Sequence, residues 1–418
     1  MKRFYRVRLM RYVVRFLALL LVVVSSDVAA QSPPAEGRAI WVTRFDYDSP
    51  AKIAYIMEMA ARAHFNVVYF QARAAADAYY RSTIEPCATL LCGKLGGTPS
   101  YDPLEVAVRE GHRRGLQVHA YLNALSGRPA GIEGRECLPM PEPAEGNPRH
   151  MLLEHPEWAM SDRHGRRLPC PNSEEYVWLS PGFPEVRTRL AIVAADVARR
   201  YDIDGIHLDR IRYPGTAWSF DAPSLREFGK DPLLYRAEWR DYRMNLVNRM
   251  VKEAYDSVHA IKPRVVFSAA VWAVYEDRWR WKTQQGLTDL LQDARGWAKA
   301  GYMDVLVPMT YFHIKKVYCA HADWACLLDD HVQGAERQTG RQMYIGIDGN
   351  IGAKEIVTQI KLARARGASG IAIFSFGAAD DAGIWPVLAK GVFAEVASIP
   401  PMPWKKAAPT DVASGTQH

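Results

Sequence analysis

Apolar and polar residues alternate in short runs along most of the chain, and between those runs the apolar spacing lengthens to three and four. Eight runs carry the strand pattern, at 38–45, 66–73, 117–125, 205–211, 264–274, 303–312, 342–348 and 370–377. Between them lie amphipathic helical patterns such as I-A-Y-I-M-E-M-A-A-R-A, P-L-E-V-A-V-R-E-G-H-R-R-G and V-R-T-R-L-A-I-V-A-A-D-V-A-R-R-Y. Several end in basic residues followed by Gly, as at Gly115 and Gly367, which is how helices stop. Eight strand-helix units predict an α/β fold, a parallel sheet closed into a (β/α)8 TIM barrel. The alternative is an open doubly wound sheet, but no G-x-G-x-x-G follows a strand and opens a helix. After the third strand comes a long insertion, 126–182, rich in Pro, Gly and charge; a disulfide inside it predicts an ordered wall or lid.

The ends of the chain read differently. Residues 1–30 combine six basic residues, Lys2 to Arg15, with the apolar run F-L-A-L-L-L-V-V-V and a small-residue close at Ala30, the pattern of a cleaved secretory signal. That apolar run is about half the ~20 residues a permanent anchor needs, so export without a lasting membrane anchor is expected. The six bases and the one acid, Asp27, carry +5 of the formal charge of +7 and leave +2 for the rest. Neither a nucleic-acid footprint nor a polybasic membrane patch is left to explain. Residues 31–36 read as a linker, 37–399 as the barrel domain, and the Pro-, Lys- and Ala-rich 400–418 as a disordered tail. All six cysteines follow the signal, and an even count in an exported chain favours disulfides. Sequence proximity pairs Cys87 with Cys92 and Cys319 with Cys326, leaving Cys137 for Cys170. A zinc site at Cys319, with His313 and His321 nearby, lacks any ligand-spacing motif, and no metal is expected.

In a barrel, alternate strand residues point inward and chemistry gathers at the C-terminal mouth. In D-I-D-G-I-H-L-D-R-I-R-Y-P, residues 202–214, Ile206 and Leu208 face the helices, which turns Gly205, His207 and Asp209 to the axis, with Arg212 and Tyr213 crowding the strand's end. The same parity groups His119, Tyr121 and Asn123 on the third strand, Gln71 and Arg73 with Asp77 beyond on the second, Arg44 and Asp46 on the first, and Met309 and Tyr311 on the sixth. Polar groups from five strands therefore converge on one mouth. His207 and His119 fit hydrogen-bonded scaffolding better than catalysis, and the arginines can simply neutralise acids. Asp209 differs, because a carboxylate at a barrel strand's C-terminal end, beside cations, reads as functional.

Aromatic residues, among them Trp41, Trp178, Trp272, Trp279, Trp281 and Phe312, gather at or just after strand ends. Flat apolar faces beside carboxylates suit pyranose rings, which predicts glycan cleavage. That chemistry uses two carboxyl groups and no metal or organic cofactor. Asp209 is the first candidate. Glu276 and Asp277 after the fifth strand are preferred for the second, with Asp77 as the other choice. Arg44, Asp46, Arg73, His119, Tyr121, Asn123, His207, Arg212, Tyr213 and Tyr311 are candidate substrate-positioning groups, and Trp272 a ring platform.

Ordered motifs reinforce this reading. R-A-I-W-V-T-R at 38–44, F-N-V-V-Y-F-Q-A-R at 65–73, D-A-Y-Y-R-S at 77–82, Y-D-P-L at 101–104, G-L-Q-V-H-A-Y-L-N at 115–123 and H-P-E-W at 155–158 open the series. L-S-P-G-F-P-E-V-R at 179–187, Y-D-I-D-G-I-H-L-D at 201–209, Q-D-A-R-G-W-A-K-A-G-Y-M-D at 292–304 and P-M-T-Y-F at 308–312 complete it. Together they resemble the glycosyl hydrolase-like family 10 proteins. The resemblance implies an envelope or secreted glycoside hydrolase with a polysaccharide substrate, peptidoglycan glycan strands foremost. Many members carry a second Asp directly after the one matched by Asp209, where this chain has Arg210. That departure motivates an alternative, a catalytically silent glycan-binding barrel. A barrel enzyme for phosphorylated metabolites conflicts with export and with the lack of a Gly-rich phosphate loop after the last strands.

Overall fold

The computed structural model describes residues 33–129, 140–170 and 174–405. Ten strands run in chain order: β1 Gly37–Val42, β2 Val67–Arg73, β3 Gln117–Asn123, β4 Ser126–Pro129, β5 Tyr176–Trp178, β6 Gly205–Asp209, β7 Val266–Val271, β8 Val305–Pro308, β9 Gln342–Asp348 and β10 Gly370–Phe374. Eight of them close a barrel in the order β1-β10-β9-β8-β7-β6-β3-β2, every neighbouring pair parallel. This is the expected (β/α)8 barrel. The segments 1–32, 130–139, 171–173 and 406–418, and with them the expected signal peptide, Cys137 and the far end of the tail, lie outside the described residues.

Side-chain polarity decides which way each strand residue faces. Ile206 and Leu208 pack between sheet and helices with Val118 and Val247, while Trp41, Tyr69, Tyr121, Val307 and Tyr344 fill the axis. Helix α1, Pro50–Arg62, shows why the covering layer forms. Ser49 caps it by accepting from the Lys52 N–H, Pro50 opens it, and Ile53, Ile56, Met57 and Ala60 recur at helical spacing on the buried face. Each such apolar side chain removed from water contributes roughly 1.5–3 kcal/mol before chain entropy is charged against it. Helix α2, Pro103–His112, is capped likewise by Asp102.

Two strand-starting glycines have a reason that alternation alone does not supply. A Cβ on Gly37 would lie 2.1 Å from the Tyr344 ring and one on Gly205 2.4 Å from His119 Nδ1. The barrel axis holds large rings because the residues beside them have no side chain.

The barrel strands end earlier than alternation suggests. β1 stops at Val42, β6 at Asp209, β7 at Val271 and β8 at Pro308, because the chain leaves its neighbours and turns outward while its polarity still alternates. The insertion contains the antiparallel pair β4 and β5, too short to register as a pattern. The disulfides Cys87–Cys92 and Cys319–Cys326 are formed, with Cα atoms 6.2 and 5.0 Å apart; the pairing of Cys170 with Cys137 lies outside the described residues.

The tail is a correction. Ile399 and Met402 pack on the axial core, and Gln342 Nε2 donates to the carbonyls of Pro400 and Pro401 at 3.0 and 3.1 Å. Trp404 Nε1 (2.7 Å) and Lys405 Nζ (2.6 Å) both reach the carboxylate of Asp304, which is fully buried. Residues 400–405 are therefore a docked segment, and composition missed them because two side chains do the anchoring. Ending the chain at Ile399 leaves that buried carboxylate with Arg341 at 3.5 Å as its remaining cation. We expect the truncation to cost about 3 kcal/mol and to lower the melting temperature by several degrees, read by thermal denaturation beside the full chain.

Candidate active site

Asp209 closes β6, in register with Asn123 at the end of β3. One carboxylate oxygen accepts from the Tyr121 hydroxyl at 2.9 Å. The other accepts from the Arg210 N–H at 2.5 Å and faces Arg212 Nη1 at 3.4 Å. Arg210 adopts φ +52°, a left-handed turn uncommon for a residue with a Cβ; Arg212 lies over the acid, while the Arg210 guanidinium pairs with Glu175 at 2.8 Å. Burial pushes the Asp209 carboxyl up, but Arg212, Arg210 and the hydrogen bonds outweigh it and hold the group below the usual aspartate range. Asp209 is therefore ionised at neutral pH.

Beneath lies a layer of fixed polarity. Trp41 Nε1 donates to His207 Nε2 at 3.0 Å, and since indole is a donor only, the imidazole proton sits on Nδ1 and points to Ser268 Oγ at 2.9 Å. Burial pushes His207 down to about 3 and it stays neutral, stacked on Tyr69 at 3.9 Å. His119 sits deeper against Gly205, pushed by burial to about 4. Neither histidine has surface for a glycan, so both are corrected from substrate contact to scaffold. Tyr213 is likewise buried, beside the Arg243 guanidinium at 5.7 Å. Arg73 was assigned to the mouth by parity, but the register shifts between Gln71 and Arg73. The irregularity turns its guanidinium into the protein, onto Glu85 at 2.7 and 2.8 Å and the carbonyls of Asn123 and Ala124.

Above that layer, Tyr121, Asn123, Arg210, Arg44, Asp46, Gln71, Tyr176 and Phe374 line a cavity of about 440 Å³. The Asn123 side-chain oxygen is buried there without a hydrogen-bond partner. Arg44 donates to the Tyr176 hydroxyl at 3.1 Å, so the insertion's β5 forms one wall. Asp46 accepts from the Thr43 N–H and hydroxyl at 2.6 and 3.0 Å, and burial carries its carboxyl above the usual range. Phe374 stacks on Tyr311 at 5.4 Å and meets Trp41 edge-on at 5.9 Å, an aromatic floor that is partly open. Trp272 stands apart, half-buried, with the Arg212 guanidinium 5.3 Å from its ring.

The expected second carboxylates separate. Asp277 accepts from the N–H groups of Trp279, Trp281 and Lys282 at 3.2, 2.9 and 2.7 Å and so organises its own loop. Glu276 pairs with Arg278 at 3.2 Å; neither lines the mouth cavity. Asp77 lies in a neighbouring cavity, fixed by the Ala75 N–H at 2.8 Å. Burial pushes its carboxyl up against the pull of that bond, Arg44 and His150.

One inward-facing strand-end acid escaped the sequence reading. Tyr344 faces the axis while Met343, Ile345 and Ile347 face the helices, so Asp348, the last residue of β9, points inward beside Phe374. Its Oδ1 accepts from the Asn350 N–H at 2.9 Å. Burial drives the Tyr311 phenol well up, and the charges of Asp209 and then Asp348 add to that push. The alternation that found Asp209 would have found Asp348. Tyr176 carried no such signal, because β5 spans only Tyr176–Trp178.

Residues 36–359 match the model of the family described as glycosyl hydrolase-like 10. The chain is 28% identical over 341 residues to glycosyl hydrolase YngK of Bacillus subtilis strain 168, covering 75% of this chain and 62% of that protein's length. It is 25% identical over 358 residues to glycosyl hydrolase DigH of Escherichia coli K12, covering 76% of each. Among solved structures, the glycoside hydrolase domain of PgaB (BpsB) from Bordetella bronchiseptica superposes with a TM-score of 0.63 at 14% identity, over 88% of this chain and all of that one. At that identity the likeness is one of fold alone. With the family match spanning β1 to β9, the chain belongs to the glycosyl hydrolase-like 10 family.

Proposed function

We propose that the protein is an exported glycoside hydrolase that cleaves peptidoglycan glycan strands in the periplasm or outside the cell, with Asp209 and Asp348 as its two carboxylates. The observation that carries this reading is Asp209 itself: a strand-end acid at the barrel mouth, held ionised by two arginines and a tyrosine and adjoined by a partnerless buried amide oxygen. An ionised carboxylate cannot protonate a leaving oxygen, so Asp209 serves as nucleophile or as the base that activates water, and the proton comes from the partner acid. Asp348 ends β9, three strands round the barrel from β6, with its side chain turned to the axis by the same parity as Tyr344. The aromatic floor supplies apolar faces for a pyranose ring, and Arg44 and Asp46 its polar contacts. The names of YngK, DigH and the PgaB domain, each a glycoside or glycosyl hydrolase, support the reaction class. The signal pattern in residues 1–30 supports the location.

The test is release of reducing ends from purified glycan strands, with and without stem peptides, beside a panel of other polysaccharides. New reducing ends on the peptidoglycan strands are expected. Binding without new ends on any glycan would mean a silent binder, the reading suggested by Arg210 where many relatives carry a second Asp.

A further inference from the structure

Beyond Arg44 and Phe45, which line the mouth cavity, the same two residues line a second cavity of about 240 Å³. Leu90, Leu95, Pro129 and Met140 give it mostly apolar walls, and Arg44, Arg128, Asp77 and His150 are the titratable groups on its lining besides Tyr79. The Cys87–Cys92 disulfide braces the segment that carries Leu90, and the Ala75 N–H fixes the Asp77 carboxyl at 2.8 Å. The space equals about eight waters at roughly 30 Å³ each, enough for a substituent and the edge of the ring that bears it.

We propose that this side cavity binds the N-acyl group of an aminosugar unit in the glycan whose chain occupies the mouth. The inference rests on the hydrolase reading above and adds the feature of the substrate that is recognised. A secondary amide offers one acceptor and one donor, which Arg44 and Asp77 complement, and its methyl meets the apolar walls. A charged substituent, carboxylate or ammonium, meets a like charge on this lining whichever partner it takes and loses its hydration against Leu90, Leu95 and Met140. A bare hydroxyl leaves those walls uncovered.

Glycan strands freed of stem peptides are offered to the purified chain in their N-acetylated form, after chemical de-N-acetylation, and after re-acetylation. The expected kcat/KM is at least tenfold higher on the acetylated strands and returns on re-acetylation. Leu90, 62% exposed at the cavity rim, can be changed without disturbing the core. Leu90→Asp is expected to raise KM on acetylated strands about fivefold and to shrink the acetylation preference, and Leu90→Met to keep both. Equal kcat/KM on the acetylated and de-acetylated strands overturns this site and leaves the hydrolase reading intact. If neither strand is cleaved, the hydrolase reading fails and calorimetric binding decides the site: tighter binding of the acetylated strand sustains it, equal or absent binding overturns it.

Discussion

Asp209→Asn is expected to lower reducing-end release by about 10²- to 10⁴-fold, the range lost when a positioned acid or base is removed, while glycan binding and the barrel persist. The amide is isosteric and its oxygen can still accept from the Tyr121 hydroxyl, which is 2.9 Å from the carboxylate in the native protein. What disappears is the negative charge that attacks or activates water. The pH profile carries the same signature. Because the folded protein holds Asp209 below the ordinary aspartate range, near 3.9, its ionised form survives to lower pH than an unperturbed acid. Activity should fall on the acid side only as pH drops through that depressed value. The linked stability has the same sign: it is complete above the unfolded-state value and is lost as pH falls through the folded one. A purely structural Asp209, needed only to neutralise Arg212 at 3.4 Å, predicts another outcome, a lower melting temperature with kcat within tenfold of wild type. Asp348→Asn separates the partners: as proton donor, its loss should hurt substrates with poor leaving groups most.

The eight-stranded barrel was legible because each strand needs buried residues on alternate faces, and that requirement writes itself into sequence. The strand-end acid on β6 was legible for the same reason. Errors cluster where backbone geometry departs from simple alternation. Arg73 was placed at the mouth because one register shift after Gln71 is invisible to parity. Glu276 and Asp277 lie beyond Val271, where β7 has ended and a loop with its own hydrogen bonds begins. His119 and His207 do face the axis, but parity gives direction and not height, and large rings above them close the surface. Asp348 shows the converse, since the rule was sound and simply had to be carried one more strand around the barrel.

The largest stability effect should come from the buried pair that holds the residue parity misplaced, Arg73. Glu85→Gln is expected to destabilise the protein by about 3–5 kcal/mol, the usual cost of leaving one member of a buried ion pair alone. Arg73 and Glu85 are 1% and 2% exposed, and they meet in a two-pronged contact at 2.7 and 2.8 Å. Gln keeps the volume and one acceptor but removes the charge that offsets a fully desolvated guanidinium. Arg73→Met should cost at least as much, because it also strips the donors from the carbonyls of Asn123 and Ala124. Urea unfolding of the two single variants and the double variant closes a thermodynamic cycle. The double variant should be less destabilised than the sum of the singles by about 2 kcal/mol; strict additivity would mean that the pair is not coupled. The carbonyl contacts extend the consequence to the site. Arg73 ties the segment after β2 to the end of β3, where the buried Asn123 supports the wall of the mouth cavity. Loosening that tie should raise KM for the glycan even at temperatures where the variant is fully folded, so a buried ion pair at the barrel's rim couples the stability of the wall to the precision of the pocket.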